Sequence, residues 1–166
     1  MDRSRPRAAL LGLAIALLSV PSCGSSHDGT SSGGGDDSGP GDSSAAQLCV
    51  DTINQYRATL GLPAYTRWTS EESCAAGEAQ KDSVSMVAHS AFPSCGESAQ
   101  DECPGWPGPP SSMITGCLAQ MWAEGPGPFS QGHGHYDNMS NSSYTQVACG
   151  FYVLADGSVW ATQDFK

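Results

Sequence analysis

Apolar positions along the chain fall into three helical stripes and one pair of alternating runs. Cys49, Ile53, Tyr56 and Leu60 recur at helical spacing, which predicts a helix over Gln47 to Gly61, ended by Gly61 and Pro63. Thr69-Ser70-Glu71-Glu72 reads as a capping box, with Thr69 as cap and Glu72 three residues on. The helix it opens carries Cys74, Ala75, Ala79, Met86 and Val87 and is expected to reach about Ala88. Ile114, Cys117, Leu118, Met121 and Trp122 mark one face of a third helix, about Ser112 to Ala123. The intervening HSAFPSCGESAQDECPGWPGPP is expected to be irregular. Thr145 to Leu154 and Ser158 to Phe165 flank Asp156-Gly157, a strong hairpin signal. Helices first and paired strands last predict an α+β fold, with helices packed on an antiparallel sheet.

The first 46 residues do not share this patterning. Residues 1–22 place Arg3, Arg5 and Arg7 before a short apolar run, Ala8 to Val20, as in a secretory signal peptide. That run is too short to span a membrane permanently. Cys23 follows at once, in a position that resembles the lipidated first residue of a bacterial lipoprotein, although Pro21 departs from that pattern. Residues 24–46 are Gly/Ser/Asp-rich, and together residues 23–46 read as a lipid-anchor cysteine with a flexible tether. The folded domain is therefore expected over residues 47–166.

Charge and cysteine count sharpen the picture. The chain carries 17 Asp+Glu against 7 Lys+Arg, for a net charge of −10. Such a balance excludes a nucleic-acid partner, since phosphate backbones need a basic face. Seven cysteines is an odd number, and assigning Cys23 to the anchor leaves six to staple the domain in an oxidising compartment. No pair has the C-x₂-C spacing of a zinc site, so thiolate metal ligation is not expected. Position along the chain suggests Cys49–Cys74 joining the first two helices, Cys95–Cys103 closing a small loop, and Cys117–Cys149 tying helix to sheet.

Candidate chemistry gathers in four short segments: Ala88-His89-Ser90, Gly96-Glu97-Ser98, Met121-Trp122-Ala123-Glu124 and Gly132-His133-Gly134-His135-Tyr136. Two imidazoles and two carboxylates could converge on a divalent cation such as Zn²⁺, or could form an acid/base site. Taken singly, each has a plainer reading: a helix-end histidine, surface acids, histidines in a glycine-rich loop. Ser90 and Ser98 are the nearby hydroxyls, and each would need an imidazole within hydrogen-bond reach to act as a nucleophile.

Seven stretches, in order, resemble the CAP superfamily of cysteine-rich secretory, antigen 5 and pathogenesis-related proteins, in a bacterial secreted or lipoprotein form. They are Asn54-x-x-Arg57 with Gly61-Leu62-Pro63 and Trp68; the second helix ending in His89-Ser90; Gly96-Glu97-Ser98; Trp122-x-Glu124; Gly134-His135-Tyr136-x-Asn138-Met139; Tyr144 with Val147-Ala148-Cys149-Gly150; and Trp160 to Phe165. Ser98 stands where the family usually has Asn, Ala148 where Gly is common, and the Cys95 to Pro110 stretch reads as an insertion.

The resemblance implies a disulfide-stapled three-layer α-β-α sandwich whose cleft holds the tetrad His89, Glu97, Glu124 and His135. His89 and His135 would be the metal ligands, and His133 a neighbour. The function it implies is a secreted or surface-anchored binding module for a divalent metal plus a small or macromolecular ligand. It would be a monomer that touches the membrane only through its lipid anchor. A metal-dependent hydrolase using the same cleft, with Glu97 or Glu124 as base, is the first alternative. A sterol or fatty-acid carrier with Phe92, Trp106, Met113 and Phe129 lining an apolar groove is the second.

Overall fold

The computed structural model describes residues 40–166, with side chains from residue 43 onward. The expected signal peptide, Cys23 and the tether up to residue 39 lie outside the described residues. Helix α1 spans Pro40–Thr59, so it begins seven residues before Gln47. Ala45 and Ala46 are buried in the core. They extend the Cys49, Val50 and Ile53 stripe one turn back, and their small side chains hide that stripe inside a low-complexity segment.

The two-residue strand β1 (Thr66–Arg67) follows, then a single 3₁₀ turn and helix α2 (Glu72–Ser85). The expected capping box does not form. Glu72 instead turns back to Arg67, with Nε–Oε1 2.5 Å and Nη2–Oε2 2.8 Å. The helix stops before Met86, which adopts a left-handed backbone, and Met86 and Val87 are exposed rather than core. Strand β2 spans Ala99–Pro107, helix α3 Pro110–Trp122 and helix α4 Gly134–Ser140, and strands β3 (Gln146–Val153) and β4 (Ser158–Phe165) close the chain as the expected hairpin. No helix among the described residues is long and apolar enough to cross a membrane.

The sheet order is β1-β3-β4-β2, with β1 parallel to β3 and the other pairs antiparallel. Side chains alternate across a strand, so neighbours on β3 report opposite faces. Cys149 is disulfide-bonded to Cys49 on α1, while Gly150 faces Ala75 and Ala76 on α2. Helix α1, packed with α3 and α4, therefore covers one face and α2 the other, giving three layers. On β4, Val159, Ala161 and Phe165 join the apolar core under α1 and α3. Thr162 and Asp164 alternate with them and meet α2, Thr162 through its bond to Ala75 O and Asp164 beside Glu78.

The layers explain why all three expected disulfide pairings are replaced. The bonds are Cys49–Cys149, Cys74–Cys95 and Cys103–Cys117. Cys49 and Cys74 sit on helices on opposite faces of the sheet and cannot meet. Cys95 and Cys103 cannot close a small loop because the chain between them runs out as strand β2. Cys117 on α3 takes Cys103, and Cys149 faces α1.

The stretch read as irregular is so up to Ser98, but Ala99–Pro107 within it is this edge strand. Its register shifts between Cys103 and Trp106, around Pro104 and a left-handed Gly105. A bulge with Pro and Gly is tolerated at a sheet edge, and it is what made the sequence look like a loop.

Arg57 ties the helical layer together. It is almost fully buried, donates to the carbonyls of Pro63, Met139 and Asn141, and lies 3.5 Å over the Tyr65 ring. Tyr65 in turn donates to Asn138 O or Asn141 O, and Asn54 brackets its backbone. The Asn54-x-x-Arg57 pair thus fixes both the loop after α1 and the end of α4.

A Cβ at Gly150 would stand 2.1 Å from Ala76 N and 2.3 Å from Ala75 C, backbone atoms with no freedom to yield. Gly150→Ala should therefore push α2 off the sheet and lower unfolding free energy by about 1–3 kcal/mol or more, measured by urea denaturation. An unchanged midpoint would mean that α2 does not press on β3.

Candidate functional site

Helix α3 ends on Trp122, which packs between Tyr56 (centroids 5.1 Å) and Tyr136 (4.6 Å). This aromatic stack seats Glu124 beside the first turn of α4. Glu124 Oε2 accepts the backbone N–H groups of His135 (3.1 Å) and Tyr136 (3.3 Å). Its Oε1 lies 2.5 Å from His135 Nδ1. A carboxylate only accepts, so Nδ1 carries the hydrogen and Nε2 keeps its lone pair. His133 is indeed a neighbour: its Nδ1 is spent on the carbonyls of Glu124 and Gly125.

A second carboxylate–imidazole arrangement stands at β2. His89 follows α2 in a left-handed backbone conformation, φ 61°. Its N–H donates to Glu102 Oε2 at 2.7 Å, which holds that uncommon backbone in place. His89 Nδ1 lies 2.9 Å from Gln100 Oε1. The Gln100 amide has only one usable orientation, because its Nε2 donates to Glu78 Oε2 (2.6 Å) and Asp164 Oδ1 (2.9 Å). Its oxygen must therefore face the imidazole, and Nδ1 of His89 is the protonated nitrogen. In both histidines Nε2 is thus the nitrogen that keeps the lone pair.

Glu97 is not part of this arrangement. It is buried, its Oε2 accepts the Cys95 N–H, and it stands near Glu78 beneath α2. Glu102 holds the His89 backbone and lines a cavity of about 400 Å³ together with Glu124 and His135. Of the expected tetrad, the structure pairs Glu124 with His135, places His89 against Gln100 and Glu102, and places Glu97 near Glu78. Gly96-Glu97-Ser98 matches by wording, but the strand that presents side chains to the cleft begins at Ala99. Period-two alternation of Gln100 and Glu102 was the available signal, and the Gly/Pro-rich setting obscured it.

A second cavity, of about 510 Å³, is lined by His89, Phe92, Gln100, Phe129, Asn138 and Tyr144 among others. The four residues expected to form an apolar groove do not share one. Phe92 and Phe129 line this cavity, Trp106 lines the first, and Met113 belongs to the core. Ser98 is on its wall, whereas Ser90 Oγ is bonded to Asp82 and Ser85 rather than to an imidazole.

Between α2 and the sheet lies a layer of buried acids that sequence reading missed: Glu78, Asp82, Glu97, Glu102 and Asp164. Glu78 and Asp82 share the α2 stripe of Ala75 and Ala79, so acids at core spacing were the legible clue. Glu78, Cys95, Glu97 and Asp164 each offer an atom within 4.8 Å of the others, a grouping that could hold a metal ion. Cys95 is spent in its disulfide with Cys74. Burial pushes Asp164 up to about 8, with Glu78 and Glu97 adding to it against the Gln100 hydrogen bond. Burial also raises Glu97, and it raises Glu102 to about 7 against the pull of the His89 N–H.

These groups hold protons more tightly when folded than when unfolded. Their contribution is fully present below the ordinary carboxylate range and is lost as pH rises towards about 8. In chelator-treated protein, the melting temperature should fall from about pH 5 to about pH 8, and Asp164→Asn should flatten the upper part of that slope. A melting temperature that rises over this interval would contradict the reading.

Comparison with known proteins bears on this geometry. A search of curated protein sequences found no match. Among solved structures, NaASP2 with Zn²⁺ superposes with TM-score 0.61 at 14% identity, covering 80% of this chain and 83% of that one. Na-ASP-1 gives 0.58 at 12%, covering 83% and 43%. An extracellular SCP-domain protein from Bacillus anthracis gives 0.51 at 17%, covering 75% and 41%. The chain thus spans less than half the length of the last two, and at these identities the likeness is one of fold. The family model for the cysteine-rich secretory protein family, CAP, matches residues 50–165. With that match over most of its length, this chain belongs to the CAP family.

Proposed function

We propose that the protein is a surface-anchored extracellular binding module whose cleft along β2 takes a small ligand beside a zinc-class divalent ion. The ion would be held by His89 and His135, with Glu102 and Glu124 beside them. One observation carries this reading: both imidazoles have Nδ1 tied to a side-chain acceptor, which leaves Nε2 with the lone pair a metal needs. Metal-bound histidines are oriented by such partners. Glu102 holds the His89 backbone and lines the same cavity as Glu124 and His135. The structurally similar NaASP2 is described with Zn²⁺. The ligand would occupy the 510 Å³ cavity, whose walls combine aromatic faces with amide groups.

The hydrolase alternative has less behind it. Glu97 Oε2 is taken by the Cys95 N–H, and Glu124 already serves three donors. Anchoring through a lipidated Cys23 rests on the sequence, and the three disulfides fit an extracellular setting.

Zinc titrated into the purified protein should bind one ion per chain. His89→Ala, His135→Ala and Glu102→Gln should each weaken binding by about tenfold or more. Zinc affinity that is indifferent to all three substitutions would exclude the cleft as the site. Expressed in a bacterial host with its leader, the protein should partition with membranes, and Cys23→Ser should release it to the soluble fraction. Equal partitioning of the two forms would refute the anchor.

A further inference from the structure

We infer that Glu78, Glu97 and Asp164 form a second, buried site for a hard divalent cation of the calcium class, separate from the histidine cleft. The three carboxylates come from α2, the loop before β2, and β4, and all are buried. Each offers an oxygen within 4.8 Å of the others. Oxygens this close can share one ion, and a buried set of protein carboxylates suits calcium better than magnesium, which keeps several of its own waters.

The donor set decides the class of ion. With Cys95 in a disulfide, only oxygen remains, and oxygen-only sites suit hard cations rather than zinc. Two oxygens here have no partner: Glu97 Oε1 and Asp164 Oδ2 are shielded from solvent and accept no hydrogen bond. A buried carboxylate oxygen without a donor is costly, and it is what a cation would satisfy.

Among the described residues, no basic side chain answers this charge. Arg57 is bound to carbonyls, Arg67 to Glu72, and Lys166 to the Gly96 carbonyl, while Lys81 is exposed. Ser94 Oγ, which donates to Glu78 Oε1 at 2.7 Å, is a further oxygen at the edge of the set.

An ion here ties the loop bearing Cys95 and Glu97 to α2 and β4. It also acts on the neighbouring cleft, because Gln100 Nε2 is held by Glu78 and Asp164 while Gln100 Oε1 holds His89.

The test is calorimetric titration of calcium chloride into chelator-treated full-length protein, with native mass spectrometry counting bound ions and circular dichroism monitoring the fold. One calcium per chain is expected, together with a higher melting temperature. Glu97→Gln and Asp164→Asn, which keep shape and remove charge, should each weaken calcium binding by about tenfold or more. The proposal is overturned if the wild-type protein binds no calcium, if both variants bind it as tightly, or if His135→Ala alone abolishes binding and so moves the ion to the cleft.

Discussion

The close contact of α2 with the sheet at Gly150 sets the rest of the molecule. Because residue 150 has no Cβ, the α2 backbone lies directly on β3, and there is no room between them for a layer of large apolar side chains. The helix meets the sheet there with alanines and, farther along, with Glu78 and Asp82. The face under α2 is therefore polar and acidic where the face under α1 and α3 is a dry core. A hydrophobic domain of this size has one such core, and here the second interface is held by hydrogen bonds to carboxylates and by the Cys74–Cys95 bond.

That acidic layer adjoins the cavity lined by His89. Gln100 sits at the boundary, with its amide nitrogen in the carboxylate layer and its oxygen on His89. Glu102, one alternation further along the same strand, fixes the His89 backbone. On the other side, the Tyr56–Trp122–Tyr136 stack and the buried Arg57 fix the Glu124–His135 pair. Each imidazole is oriented through Nδ1 by a side chain that is itself held in place. Preorganisation of this kind lowers the ordering cost of taking up a ligand or ion.

The element types were largely legible because helices α1 to α3 and the terminal hairpin carry clear periodicity. Strand β2 was not. Pro104 and Gly105 mark a bulge, and a bulged edge strand with two adjacent acids, Asp101 and Glu102, reads like a loop. That single misreading propagated. With β2 taken as an insertion, Cys95 and Cys103 were joined across a segment that is in fact extended.

By itself, the sequence determined the family, the α+β class, the helical stripes and the hairpin turn at Asp156-Gly157. These are set by local periodicity and by short, ordered motifs. Only the tertiary structure decided which cysteines pair, which acid joins His89, and that Glu78, Glu97 and Asp164 meet. Those depend on which face of the sheet a residue occupies. Alternation fixes that face only once the strand and its register are known, and for β2 the register is set by pairing with β4, more than fifty residues away along the chain.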